Sequence, residues 1–178
     1  MMASKDLIVL VDANDTQLGV MDKLQTHLEG ARHRAVSGFL FSRSGEMLIQ
    51  KRAATKYHSG GLWANACCSH PRPGEAALDC MQRRFGEELG ISPSLHWFGI
   101  TQYRCSVGNG LTEDEVVHGF AGRFDGEVMM NADEVEDWRW VSRERLTDLC
   151  RAQPGRVAAW LRVYSSEGFI DQAIASCR

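Results

Sequence analysis

Apolar and polar positions along this chain fall into short runs separated by turn-forming residues. Leu7–Val11 is apolar throughout, Asp12 ends it, and the Asn14-Asp15 turn leads to a second run at 17–21, the pattern of a β-hairpin. Residues 24–30 read as a helical turn closed by Gly30, carrying His27 to a loop that also holds His33. A strand at 36–41, a turn at Ser44-Gly45 and a returning strand at 46–52 form a second hairpin that ends in basic residues. The loop 56–61, with Lys56, Tyr57 and His58, is expected to be flexible, positively charged and able to receive an anion.

Beyond Pro73-Gly74 the period changes. Ala76, Leu78, Met81, Phe85 and Leu89 recur at mostly three- and four-residue steps and Gly90 stands at the stop position, which predicts a helix over 75–89. On such a helix Arg84 lies beside Glu88 and Arg83 beside Glu87. Strands follow at 95–106, with Tyr103, and at 115–124, separated by a turn at 107–110. At the start of the second, period-two alternation puts Glu113 and Glu115 on one face and Asp114 on the other.

After a loop at 131–134, Val135–Val141 reads as a last strand, and helices at 142–150 (N-cap Ser142), 156–164 and 167–177 finish the chain. Strands before, between and after helices predict an α/β (α+β) sandwich, a mixed sheet covered by helices. No repeat or linker interrupts it, so residues 1–178 are expected to form a single domain.

Composition adds exclusions. The chain is 44% hydrophobic and 24% charged, an ordinary globular balance, and its net charge of -3 argues against a broad nucleic-acid surface or a membrane-adsorbed one. The run at Leu7–Val11 after Met1 to Asp6 is too short for a membrane span and unlike a signal peptide, so a cytoplasmic protein is expected. Six cysteines without a CxxC pair, Cys67 and Cys68 being adjacent, read as reduced thiols.

Three groups of side chains carry chemistry. His27, His33, His70, Glu113 and Glu115 combine imidazoles with carboxylates, donors that suit zinc, manganese or iron(II). Cys67 and Cys68 are small buried hydrophobes by default, yet a thiol near metal-bound groups can act in acid–base or covalent chemistry. Lys23, Arg52, Lys56 and Arg84 come from four different elements; singly they read as surface charges, and together they would clamp a diphosphate. No GxGxxG follows a strand, so neither flavin nor nicotinamide is expected.

Two motifs give a resemblance. Glu75, Arg83, Phe85, Glu87-Glu88, Gly90 and Ile91 match the Nudix box G-x5-E-x7-R-E-U-x-E-E-x-G-U, where U is apolar, with Ser69 in place of the first Gly and Arg84 in place of the Glu after the Arg. The run Trp63-Ala64-Asn65-Ala66-Cys67-Cys68-Ser69-His70-Pro71 fits W-x-N-x-x-C-x-H-P. With Glu113-Asp114-Glu115 and Trp160, the chain resembles type 1 isopentenyl-diphosphate Δ-isomerase, a Nudix-superfamily enzyme, over almost its whole length.

That resemblance implies a Nudix-like α/β/α sandwich and an isomerase that interconverts isopentenyl and dimethylallyl diphosphate, with Cys68 and Glu115 moving protons, Tyr103 assisting and Trp160 facing the carbocation. It implies a divalent ion, manganese or zinc, on His27, His33, His70, Glu113 and Glu115, and a magnesium ion carried by the diphosphate to Glu88 and the backbone of Cys68. It assigns Lys23, Arg52, Lys56 and Arg84 to the diphosphate, and a monomer acting on a small isoprenyl diphosphate is expected. A nucleotide-diphosphate hydrolase is the rival reading, against which Arg84 counts; a non-catalytic metal-binding module is another.

Overall fold

The computed structural model describes residues 7–178; the reading made of Met1 to Asp6 lies outside the described residues. Strands β1 (Leu7–Val11) and β2 (Gln17–Asp22) form the first hairpin, as the apolar pattern predicts. Helix α1 (Lys23–Glu29) follows directly: Asp22 accepts a hydrogen bond from the Gln25 backbone, and Gly30 closes the helix at φ 60, a left-handed conformation suited to glycine. His27 therefore sits inside a helix. His33 lies in β3 (Arg32–Phe41), which begins four residues before the predicted strand, because Leu10 of β1 pairs with His33 and extends the ladder.

Strands β4 (Met47–Arg52) and β9 (Val135–Val141) pair antiparallel, and β5 (Trp63–Asn65) adds to the free side of β4. β6 (Cys67–Ser69) pairs with β3, while β7 (His96–Gly108) and β8 (Leu111–Arg123) form a long hairpin whose second strand runs parallel to β3. The sheet is thus mixed and, among the described residues, nine-stranded.

Helices cover both faces. β3 shows why: Val36 and Leu40 point into the core packed by Met81, Phe85 and Leu89 of α2 (Ala77–Leu89), whereas Ala35, Phe39 and Phe41 point to the opposite core. That second core holds Leu146 of α3 (Arg143–Ala152), Trp160, Leu161 and Tyr164 of α4 (Ala159–Ser166), and Phe169, Ile170 and Ala173 of α5 (Phe169–Ser176). Between Val36 and Leu40, Gly38 lets Phe85 reach the backbone, since a Cβ there would meet the ring at 2.5 Å. The α/β/α sandwich expected from the sequence is the fold observed. Among the described residues, no helix is long and apolar enough to cross a membrane.

Candidate active site

A cavity of about 520 Å³ opens where α1, the loop after β4, β6, α2 and the β7–β8 hairpin meet. Lys23, Arg52, Lys56 and Arg84 all line it, although their spacing gave no sign of convergence. Cys68, His70, Glu88, Tyr103, Glu113, Glu115 and Trp160 line it too, and His27 and His33 lie buried just behind.

Strand register builds the carboxylate side. Glu115 on β8 is paired with His33 of β3 on one side and with Tyr103 of β7 on the other, so three functional side chains stand abreast. The Tyr103 hydroxyl donates toward both Glu113 Oε2 at 2.8 Å and Glu115 Oε2 at 2.7 Å. Asp114 points away to Arg32 and Arg104, as alternation requires.

Burial and the neighbouring Glu115 raise the Glu113 carboxyl well above the usual range. Burial pushes Glu115 upward, opposed by the His33 and His70 imidazoles beside it. Burial drives His70 down to about 3, keeping the ring neutral.

The imidazoles converge through their Nε2 atoms. Nδ1 of His27 bonds the Lys23 carbonyl at 2.6 Å and Nδ1 of His33 bonds the Ala31 carbonyl at 2.8 Å, which places their protons on Nδ1 and leaves a lone pair on each Nε2. Nε2 of His33 then faces Nε2 of His70 at 3.2 Å and Glu115 Oε1 at 3.3 Å, while Nε2 of His27 is buried without a hydrogen-bond partner. Acceptors turned on one another and an orphaned buried nitrogen are what a cation-binding site looks like. Ligand atoms of His27, His33, His70 and Glu115 all lie within 4.8 Å of one another. Glu113 falls in an adjoining group with His27 and His58.

Glu88 belongs to the other side of the cavity. Its carboxylate accepts from Arg84 at 2.5 Å and from Gln50 at 2.7 Å, away from the imidazole cluster. Glu134, which the sequence did not single out, bridges the Arg84 guanidinium at 3.0 Å and the Lys56 ammonium. In the loop 56–61, Tyr57 is exposed, His58 is buried and Lys56 is paired with Glu134. Arg83 spends its fork on Glu75 and Glu87.

The thiol pair divides across the sheet. β6 runs alongside β3 with Ser37 opposite Cys68 and Gly38 opposite Cys67, so Cys67 enters the α2 core and Cys68 faces the cavity. Sγ of Cys68 donates to Asn65 Oδ1 at 3.0 Å and sits 3.2 Å from Ser37 Oγ, itself 2.9 Å from the Tyr164 hydroxyl. Burial pushes the Cys68 thiol up to about 12, against the opposing hydrogen bond from Ser37, so it carries its proton at neutral pH.

Asn65 Oδ1 also accepts from the Trp160 indole at 3.2 Å, and its amide holds the Gly38 and Cys67 carbonyls. One amide thereby fixes both the thiol and the aromatic wall, over which the Arg52 guanidinium sits 5.2 Å from the ring. Asn65 lay in the quoted motif without a role; Ser37, Tyr164, His58 and Glu134 carried no local signal.

The sandwich that carries this pocket has counterparts among known proteins. The model of the NUDIX domain matches residues 31–161, and the chain belongs to the Nudix family. Solved structures similar in fold include a Deinococcus radiodurans protein (TM-score 0.74, 17% identity, covering 90% of this chain and 98% of that one). A MutT protein from Methanosarcina mazei is also similar (TM-score 0.63, 18% identity, 79% of this chain and 94% of that one).

Within the family, several similar sequences are named for one activity. An Aromatoleum aromaticum protein named isopentenyl-diphosphate Delta-isomerase 1 is 46% identical over 98% of this chain and 95% of its own length. Isopentenyl-diphosphate Delta-isomerases of Burkholderia multivorans and Cereibacter sphaeroides are 43% and 48% identical, covering 88% and 83% of this chain and 89% and 84% of theirs. This chain groups with the isopentenyl-diphosphate Delta-isomerases.

Proposed function

We infer that the protein interconverts isopentenyl diphosphate and dimethylallyl diphosphate, a step of isoprenoid biosynthesis, by adding a proton to an alkene and removing one from the neighbouring carbon. The observation that carries this reading is that a thiol, Cys68, and a carboxylate, Glu115, line one cavity with Tyr103 and Trp160. Such a reaction needs an acid, a base, a π face for a tertiary cation and exclusion of water.

Lys23, Arg52, Lys56 and Arg84 supply charge for a diphosphate at one side of the cavity, binding energy remote from the reacting carbons. Cys68 and Glu115, the latter hydrogen-bonded to Tyr103, share the two transfers: one adds a proton to the terminal alkene carbon, leaving a cation at the branched carbon, and the other takes the proton lost next to it. The reverse reaction exchanges the two roles. Trp160 contributes a cation–π contact of roughly 2 kcal/mol when desolvated.

His27, His33, His70, Glu113 and Glu115 would hold a resident manganese or zinc ion. When bound, that ion supplies fixed positive charge that orients the Glu115 carboxylate and tunes its acidity. A magnesium ion arriving with the diphosphate would meet Glu88 and the backbone of Cys68. The same reading makes the protein a cytoplasmic monomer. Incubation with isopentenyl diphosphate and magnesium tests it: dimethylallyl diphosphate is the expected product, whereas release of phosphate without isomerisation would replace the reading by hydrolysis.

A further inference from the structure

Ser37 interrupts the apolar run of β3 and is 1% exposed, so its hydroxyl is shut off from bulk water. Because β6 pairs antiparallel with β3 and sets Cys68 opposite Ser37, the two side chains stand on one face of the sheet, with Ser37 Oγ 3.2 Å from Cys68 Sγ. On its far side Ser37 Oγ meets the Tyr164 hydroxyl at 2.9 Å. Tyr164 is equally buried, its ring packed among Phe39, Tyr103 and Phe169 at 5.8, 5.7 and 5.4 Å between centroids. Among the described residues, Ser37 is the only hydrogen-bond partner of the Tyr164 hydroxyl.

The directions of these bonds follow from one group that can only donate. The Trp160 indole N–H lies 3.2 Å from the same Asn65 atom that meets Cys68, so that atom is the carbonyl Oδ1, and the amide nitrogen faces the Gly38 and Cys67 carbonyls. Oδ1 has no proton, so the single proton of the Cys68 thiol points to it. The sulfur is left with lone pairs toward Ser37, whose hydroxyl donates to them, and the Ser37 oxygen accepts in turn from Tyr164. The reverse direction would leave the buried Tyr164 proton unpaired. One directed chain therefore runs from Tyr164 through Ser37 and Cys68 to Asn65.

We propose that Ser37 and Tyr164 are positioning residues for the proton transfer at Cys68, holding the sulfur in place while its proton leaves and returns. The proposal rests on the isomerisation inferred above. In that reaction the S–H bond breaks in one direction and forms in the other, the electron pair stays on sulfur, and the proton passes to or from a substrate carbon. Asn65 can bond only the thiol, since its Oδ1 offers a thiolate nothing. Ser37 donates to the sulfur in both states, and more strongly to the thiolate, because hydrogen bonds to a charged acceptor are roughly twice as strong. Tyr164 polarises the Ser37 hydroxyl and strengthens that bond. Neither residue lines the cavity, so both act through Cys68.

The test uses the full-length protein, assayed with isopentenyl diphosphate and magnesium, and two variants that each remove one oxygen atom, Ser37→Ala and Tyr164→Phe. With KM unchanged in both, kcat should fall about tenfold or more in Ser37→Ala, the worth of a hydrogen bond to a charged group, and about two- to tenfold in Tyr164→Phe. The double variant should be no slower than Ser37→Ala, because Tyr164 acts through Ser37. Infrared spectroscopy adds a readout that packing does not move. The Cys68 S–H stretch, isolated by subtracting the spectrum of the same protein carrying Cys68→Ala, should shift to higher frequency in Ser37→Ala and part of the way in Tyr164→Phe. A band that Ser37→Ala leaves unmoved, or losses in kcat that multiply in the double variant, would overturn the proposal. A wild type that does not isomerise would overturn the reaction and the kinetic role together, and the S–H band separates that failure from a failure of the hydrogen-bond chain.

Discussion

Cys67 and Cys68 are neighbours in the chain and lie on opposite faces of the sheet, one against α2 and the other at the cavity beside Asn65 and Ser37. Cys68→Ala should lower turnover by about 10²–10⁴-fold, the usual contribution of one general acid or base, with an unchanged circular dichroism spectrum. Cys67→Ala should keep its activity and lose only some stability. An inactive Cys67→Ala beside an active Cys68→Ala would reverse the assignment.

Asn65 is the shared acceptor of Cys68 and Trp160. Asn65→Ala leaves a buried thiol and indole without their partner, at about 1–3 kcal/mol for each orphaned group. A fall in kcat with a smaller change in KM is expected, because the diphosphate clamp is untouched. A variant with wild-type kcat would show that the thiol and indole are held by packing alone.

Lys23 gives a pH dependence. Burial, with Lys56, Arg52 and Arg84 adding to it, lowers its ammonium to about 8 from 10.5. In the free protein its charge is lost as pH rises through about 8, so kcat/KM for an anionic substrate should fall there, and Lys23→Arg should carry that limb to higher pH. Stability moves the opposite way. The cost of burying the charged ammonium is fully present below about 8 and fades as pH rises toward 10.5, because the unfolded chain binds the proton more tightly across that window. A kcat/KM profile that Lys23→Arg leaves unmoved would take Lys23 out of the clamp.

Metal removal should be visible in thermal unfolding. With the Nε2 atoms of His27, His33 and His70 converging, Zn²⁺ at about 100 times its Kd should stabilise the stripped protein by about 2.7 kcal/mol, a rise in Tm of roughly 5–10 °C for a chain of this size. The same addition to His33→Ala should give little. Equal shifts in the two proteins would place the ion elsewhere.

Gly38 tests the sandwich itself. A methyl group there would meet Phe85 at 2.5 Å, so Gly38→Ala should cost about 1–3 kcal/mol in denaturant unfolding, and the double variant with Phe85→Leu should recover part of it. Full additivity would mean that the ring and the strand do not press on one another.

Elements with a clear period were legible in the sequence. Val135–Val141 is a strand at its predicted bounds, and the helix predicted over 75–89 is present as α2. β5 and β6 are three residues each, too short for any period, and exist because β4 and β3 offer them backbone partners. Motif positions pointed to Cys68, His70 and Glu115, whereas Ser37, His58, Glu134 and Tyr164 become part of the site only through contacts between distant segments. Ser37 reads as a polar break in an apolar strand until Tyr164, 127 residues away, reaches its hydroxyl.

The bridge from Glu134 to Lys56 and Arg84 makes the clamp resemble an ion exchanger that already carries its counterion. An incoming anion must displace a carboxylate held in place by the fold. A phosphate monoester, at about −1.5 to −2 charge near neutral pH, brings a single phosphoryl group to that exchange, while a diphosphate bringing its own cation can satisfy the two basic groups and the released carboxylate together. Selection against monophosphates would then arise from the carboxylate built into the clamp.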